Sequence, residues 1–336
     1  MKKLFIITMM LVIFGALRAD ASTRGSLEYI FYYYPSERGY ESVKKHYRDI
    51  DILAPQIYTV GYNLTLGDVE SKDILELAEK KRIDVMPLVV QANFDKALMT
   101  QLLNDENAQD ELIADLIDEA RDRDFIGWQF DFENINHLDR DRYTTFVEKS
   151  YKAFKKKKLV LSVAVIPRTT DYNPFATSQD WSSGYNIGDI AEVSDFVSIM
   201  AYDDPKSLGP VASVPYVKAT LEHTLKDTPS EKISLGIPFY CWQYELGNSK
   251  KIANVPYDIS ANTQTKYKKN GVFSLYLDAF DAEIFAFVKD TGFVNYIWCD
   301  NVESFKVKVK LAKEKGLRGT SGWAIGQEDA RIWKEI

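Results

Sequence analysis

The chain has little of what marks metal-binding, nucleic-acid-binding or membrane-spanning proteins. It carries three histidines and two cysteines in 336 residues. His46, His137 and His223 fall in no ligand spacing, so no metal site is expected. Cys241 and Cys299 could pair in an oxidising compartment, but a domain this large buries enough surface without a staple, and their pairing stays open. The formal charge is −7, which disfavours a polyanionic partner such as nucleic acid. Beyond the N-terminal segment no apolar run reaches the roughly 18 residues that a spanning helix needs. No linker rich in Pro, Gly or Ser and no low-complexity tract interrupts the chain. One domain carrying an insertion is the economical reading.

What is present begins with a leader. Lys2 and Lys3 precede an uncharged apolar run from Leu4 to Leu17, and Ala19-Asp20-Ala21 offers small residues at a cleavage point. The run is short for a bilayer, so residues 1–21 are expected to be a signal peptide, an uncleaved anchor being the alternative. No cysteine follows the run to carry a lipid. Without the three cations and one anion of this segment the net charge is −9. Residues 22–336 are expected to be secreted, or to lie in the periplasm or cell envelope, with no stable membrane insertion after cleavage.

From about residue 27 onward, apolar strand-like runs alternate with stretches of helical period. The strand candidates are 29–34, 52–58, 84–90, 125–132, 159–166, 196–202, 233–240 and 319–325. Several are apolar on both sides, as strands buried on both faces are. Clear helical stretches are 71–81, 109–121, 140–156, 215–225 and 303–314. Eight β-then-α units point to an α/β protein of the (β/α)8 TIM-barrel class. The interval between the seventh and eighth strands, about 242–300, is too long for one crossover. It holds strand-like Val272–Leu277 and 293–298 and a helical patch at 279–288, and is expected to form a small α+β insertion in which Trp298 belongs to the insertion's own core.

The most informative stretch is Gly127-Trp128-Gln129-Phe130-Asp131-Phe132-Glu133. It alternates polar and aromatic residues with period two, so Gln129, Asp131 and Glu133 project from one face and the three aromatics from the other. Neighbours on one face lie roughly 7 Å apart, close enough for each acid to raise the other's pKa. Acids on a strand end can be structural, pairing with a cation or capping a loop. In a barrel, however, chemistry sits at the C-terminal ends of the strands. Asp131 and Glu133 close the fourth strand, Tyr202 and Asp203 the sixth, Tyr240 the seventh and Trp323 the eighth. Trp128, Phe130 and Phe132 are expected to pack on the helices.

These residues carry a resemblance. Gly127 to Glu133 is similar to the fourth-strand signature of glycoside hydrolase family 18, D-G-x-D-x-D-x-E. Met200-Ala201-Tyr202-Asp203 resembles the family's sixth-strand M-x-Y-D. Gly209-Pro210-Val211-Ala212-Ser213-Val214-Pro215 resembles the segment that follows it. Gly236-Ile237-Pro238-Phe239-Tyr240 resembles the seventh strand, and the stretch 319–326 with Trp323 the eighth. The order matches over nearly all of the chain after the leader, closest to the chitinase-like branch that acts on peptidoglycan and spore cortex. No LysM-like repeat accompanies it.

The resemblance implies a retaining glycosidase that cleaves after N-acetylglucosamine with the substrate's acetamido oxygen as nucleophile. It makes Glu133 the general acid and base, Asp131 the group that orients the acetamido N–H, and Tyr202 the donor to its carbonyl. Trp323 would floor the subsite, with Met200 and Asp203 lining it and Tyr240 nearby. No cofactor or metal is implied, and the chain could work as a monomer. Gln129 departs from the pattern, standing where relatives usually have a third carboxylate. An amide can donate a hydrogen bond to Asp131 but cannot take a proton, so a smaller pH perturbation of the pair is expected. The same change leaves open a glycan-binding protein without turnover on the same barrel. Among the tyrosines at 32–34, Tyr34 is the expected cleft residue, with Trp242, Tyr244, Gln56 and Tyr58 as further candidates for the walls. The substrate class is an N-acetylglucosamine polysaccharide or oligosaccharide: chitin, cortex or ordinary peptidoglycan, or an N-glycan core.

Overall fold

The alternating units close into a cylinder in the computed structural model, which describes residues 27–68, 71–173, 181–205, 207–248 and 250–336. The expected signal peptide at 1–21 lies outside the described residues. Strands β1 (Glu28–Tyr33), β2 (Ile52–Val60), β3 (Leu88–Gln91), β4 (Gly127–Phe130), β5 (Val160–Val165), β6 (Phe196–Ile199) and β7 (Ile233–Pro238) run in chain order. The insertion supplies β8 (Tyr240–Glu245), β9 (Ala253–Pro256), β10 (Val272–Leu277), β11 (Ala282–Val288) and β12 (Val294–Cys299), and β13 (Gly319–Trp323) is the eighth barrel strand. Neighbouring barrel strands pair in parallel, and β1 closes the circle by pairing with both β2 and β13. This is the (β/α)8 barrel with an insertion between its seventh and eighth strands.

The strand expected at 84–90 is broken. Asp84–Val85 pairs with β2, and β3 begins only at Leu88. Pro87 stands between them and has no N–H to give to a ladder.

The outer layer follows from helical spacing and capping. Helices α1 (Glu37–His46), α2 (Lys72–Lys81), α3 (Lys96–Asn104), α4 (Glu106–Asp122), α5 (Arg140–Lys156), α6 (Ile187–Glu192), α7 (Val214–Thr224), α8 (Tyr257–Lys266) and α9 (Val302–Glu314) connect the strands, α3 and α4 both lying between β3 and β4 and α8 within the insertion. The Asp105 carboxylate caps α4 by accepting from the Ala108 N–H, and the Ser213 hydroxyl caps α7 by accepting from Tyr216. Helix α5 buries Tyr143, Phe146, Val147, Ser150 and Phe154, one stripe at helical spacing.

That stripe receives Phe130 of β4 and Phe132 just beyond it, while Trp128 on the same side packs toward α4. Phe130 stacks on Phe146 at 5.6 Å, Phe132 meets Tyr143 edge to face, and the Trp128 indole donates to the Leu116 carbonyl at 2.8 Å. Burying each such ring contributes about 1.5–3 kcal/mol. Because a strand alternates, sending these rings outward turns Gln129 and Asp131 toward the barrel interior.

The insertion is an antiparallel sheet in the order β9-β8-β12-β11-β10, with α8 against one face. The patch expected to be helical at 279–288 is instead largely strand β11. Phe285 and Phe287 are buried beneath α8, whereas Ile284 and Ala286 alternate onto the other face. Pairing with β10 on one side and β12 on the other settles a run whose spacing alone is ambiguous. The helix of the insertion is α8. Trp298 also differs from expectation: it lies across from Trp242, meets Phe280 edge to face at 5.7 Å, and joins the barrel's hydrophobic core.

Cys241 and Cys299 face each other in register on β8 and β12 and form a disulfide. It clasps the two strands through which the chain enters and leaves the insertion. Beside it the buried Lys308 ammonium of α9 pairs with the buried Asp300 carboxylate. Replacing both cysteines by alanine is expected to lower stability by about 2–5 kcal/mol. Urea unfolding in oxidising buffer measures this, and an unchanged midpoint would overturn it.

Candidate active site

Gln129 is wholly buried within the barrel, and its Nε2 donates to Ser162 Oγ on β5 at 2.8 Å. One N–H of the amide is therefore given to β5, and none reaches Asp131 Oδ1. Gln129 Oε1 and Asp131 Oδ1 are both buried without a hydrogen-bond partner among the described residues. The backbone ladder makes its last bond from the Asp131 N–H to the Val89 carbonyl at 2.9 Å. Glu133 stands half-buried just beyond, where the chain leaves the sheet.

Above these groups opens a cavity of about 480 Å³ at the C-terminal ends of the strands. Asp131, Glu133, Met200, Tyr202, Asp203 and Trp323 all line it. Tyr202 is brought in by a glycine: a Cβ on Gly236 would sit 2.4 Å from the Ile199 carbonyl oxygen and 2.9 Å from the Tyr202 ring. Only glycine lets β7 approach β6 and that ring so closely. Tyr240 is absent from the lining. Its ring meets Tyr202 edge to face at 6.4 Å, and its hydroxyl donates to Asp203 Oδ1 at 2.5 Å.

Tyr34 does not line the cavity and is 57% exposed. Strand β1 ends at Tyr33, so alternation no longer governs where Tyr34 points. Tyr32 takes the place, lining the cavity with its ring 5.5 Å from that of Trp323 and its hydroxyl 2.7 Å from Ser198 Oγ. Of the second-strand pair, Gln56 lines the cavity, but Tyr58 turns outward and donates to the Glu119 carboxylate of α4 at 2.7 Å. An irregularity in register between Gln56 and Tyr58 puts them on opposite sides. Trp242 and Tyr244 lie outside the lining, Tyr244 stacking on Tyr296 at 5.1 Å. Sequence reasoning missed Phe94 and Trp181, which also line the cavity, Phe94 from the single 3-10 turn Ala92–Phe94 and Trp181 from a turn, both too short to show a period.

The electrostatics follow from this burial. Asp131, with no donor on Oδ1, is pushed up to about 7 by desolvation. Glu133 is pushed up to about 8, first by burial and then by the Asp131 charge, and the Trp181 indole opposes part of the rise. Burial holds the Tyr202 hydroxyl well above its usual pKa, so it stays a neutral donor. The site can therefore keep a carboxylic proton near neutral pH beside a second carboxyl and a phenol. Among the described residues no three His, Cys, Asp or Glu side chains gather in a way that would hold a metal ion.

Comparison with known proteins adds the family. The model described as "Glycosyl hydrolases family 18" matches residues 40–328. "Uncharacterized glycosylase YvbX" of Bacillus subtilis (strain 168) is 26% identical over 349 residues, spanning 100% of this chain and 98% of that protein. A "Cortical fragment-lytic enzyme" of the same organism is 26% identical over 81% of this chain, but the match covers only 63% of that protein. In three dimensions the chain resembles the Bacillus megaterium QM B1551 spore cortex-lytic enzyme SleL, with a TM-score of 0.83 and 21% identity over 92% of this chain and 72% of that one. A chitinase from Chromobacterium violaceum ATCC 12472 gives a TM-score of 0.81 and 21% identity over 92% and 97%. At such identities the structural likeness speaks for the fold alone.

Proposed function

The chain belongs to glycosyl hydrolase family 18, and from that membership we propose an exported retaining glycosidase that hydrolyses β-1,4-linked N-acetylglucosamine glycans by substrate assistance. The observation that carries this reading is the meeting of Glu133, Asp131, Tyr202 and Trp323 in one cavity. Glu133, raised toward 8, holds the proton that goes to the glycosidic oxygen as the bond to the anomeric carbon breaks. The acetamido oxygen of the same sugar attacks that carbon, forming an oxazolinium ion. Asp131 accepts from the acetamido N–H and offsets the developing positive charge, while the Tyr202 hydroxyl donates to the acetamido oxygen and holds it in line. Glu133, now a carboxylate, takes a proton from the water that opens the ring, and two inversions leave the configuration retained. Met200, Asp203 and the Trp323 ring bound the sugar.

The leader at 1–21 supports export, and no helix among the described residues is long and apolar enough to cross a membrane. Chitin and peptidoglycan present the same sugar at the cleavage subsite, so both belong in the assay. Mass spectrometry of digests is expected to show new N-acetylglucosamine reducing ends from at least one of them, and no cleavage of fully de-N-acetylated chitosan oligomers. Cleavage of the deacetylated chain would overturn substrate assistance. Sugar binding without any hydrolysis would favour the lectin reading that Gln129 keeps open.

A further inference from the structure

Gln91, the last residue of β3, lies outside the cavity lining and is 1% exposed. Its side-chain amide makes two bonds to the main chain of one residue. Nε2 donates to the Glu133 carbonyl oxygen at 2.5 Å, and Oε1 accepts from the Glu133 N–H at 3.2 Å. A neighbouring strand would offer such a donor and acceptor to a residue in a ladder. Here the ladder has stopped: β3 and β4 pair only at Leu88 with Gln129 and Val89 with Phe130. A side chain supplies what the backbone of β3 no longer can.

The surroundings show why this matters at Glu133. Asn134 takes a left-handed φ of 54°, turning the chain away from the barrel, and its Nδ2 donates to the Phe94 carbonyl at 3.2 Å. On the other side the Tyr185 hydroxyl donates to the Phe132 carbonyl at 2.8 Å. Glu133 sits between these ties on backbone that belongs to no element. Without Gln91 its own peptide groups would be left without these partners, and peptide groups held away from water are costly to leave unpaired. The segment would relax to find other partners. A shift near 1 Å at a reacting group can cost about 10²-fold in rate.

We propose that Gln91 is a positioning residue that fixes the main chain of Glu133, and through it the reach of that carboxyl into the cavity; this rests on the glycosidase reading above. The chemistry needs an amide of this length. Asparagine is one methylene too short to span the same gap. Glutamate keeps the shape, but when ionised it has two acceptors and no donor for the Glu133 carbonyl. When protonated it regains one donor and one acceptor in the same plane.

The test uses the full-length protein and a chito-oligosaccharide or peptidoglycan substrate that the wild type cleaves. Gln91→Ala is expected to lower kcat by about 10–100-fold at every pH, with KM within about threefold, because position and not sugar contact is lost. Gln91→Glu is expected to lose a similar factor at pH 8, and to recover toward wild type as pH falls and its new carboxyl takes a proton. The readout is the variant-to-wild-type ratio of kcat at each pH. A ratio for Gln91→Glu that stays flat with pH would overturn the proposal. So would Gln91→Ala at wild-type kcat, or a loss confined to KM. If Gln91→Ala fails to fold, the reversible pH dependence of Gln91→Glu still decides. A wild type that binds but never cleaves would remove the glycosidase reading and this proposal together, whereas an active wild type with a flat ratio removes only this one.

Discussion

Glu133→Gln is expected to lower kcat on chito-oligosaccharides or peptidoglycan by about 10²–10⁴-fold, the usual worth of a positioned general acid, with little change in KM. The amide keeps the shape of the carboxyl but has no acidic proton for the leaving oxygen and cannot activate water afterwards. Reducing-end release from purified wild type and variant at matched folding measures it, and a variant within tenfold of wild type would remove Glu133 from the mechanism. The wild-type pH profile should report the same group. Activity requires a proton on Glu133, so the alkaline limb of kcat/KM is expected well above the ordinary carboxylate range, toward about 8. Burial of the site is the first cause and the neighbouring Asp131 the second.

Asp131→Asn should separate activity from stability more sharply. Activity is expected to fall by about 10²–10³-fold, because a neutral amide gives no countercharge to the oxazolinium ion. Stability should move the other way. Burial raises Asp131 to about 7, far above the range near 4 where the unfolded chain releases the same proton. Between those values the folded protein holds protons that the unfolded chain has lost, so wild-type stability falls as pH rises through this window. Below the unfolded pKa both states are protonated, and the penalty disappears. Asp131→Asn escapes it, so the variant is expected to be more stable than wild type by about 2–4 kcal/mol at pH 8, from 1.36 kcal/mol per unit of pKa shift. At pH 4 the two should unfold at nearly the same denaturant concentration. Urea titrations at both pH values test this, and a variant that is less stable than wild type at pH 8 would show that Asp131 is held as a stabilised anion.

Such a pair is costly to a fold, and the cost is visible in where the structure spends its polar atoms. Gln129 gives one amide N–H to Ser162, and Asp131 Oδ1 stays unpartnered. A protein tolerates an arrangement like this where chemistry uses it. The same reasoning separates Asp131 from Asp300, a buried carboxylate held by Lys308 at the base of the insertion and away from the cavity lining.

Much of this was legible along the chain because its causes are local. The eight β–α units follow from apolar runs and helical stripes such as the one on α5, and both periods come from backbone geometry. The alternation in Gly127 to Glu133 told which groups share a face, and the packing of Phe130 and Phe132 on α5 then decided which face turned inward. Several of the misreadings fall where that geometry ends. Tyr34 follows the last residue of β1, and Tyr58 follows a register irregularity. Phe94, Trp181 and the Gln91 amide act from segments or distances to which no period applies. Strand β11 could be read either way until β10 and β12 paired with it.

The order of elements, the barrel class and the chemical types available at each strand end are written in the chain itself, since each depends on residues a few positions apart. Which tyrosine enters the cavity, what Gln129 bonds to, whether Cys241 meets Cys299 and how Glu133 is held were decided by closure of the barrel. Those outcomes depend on groups tens to hundreds of residues apart, whose distances exist only once the strands have paired and the rings have left water.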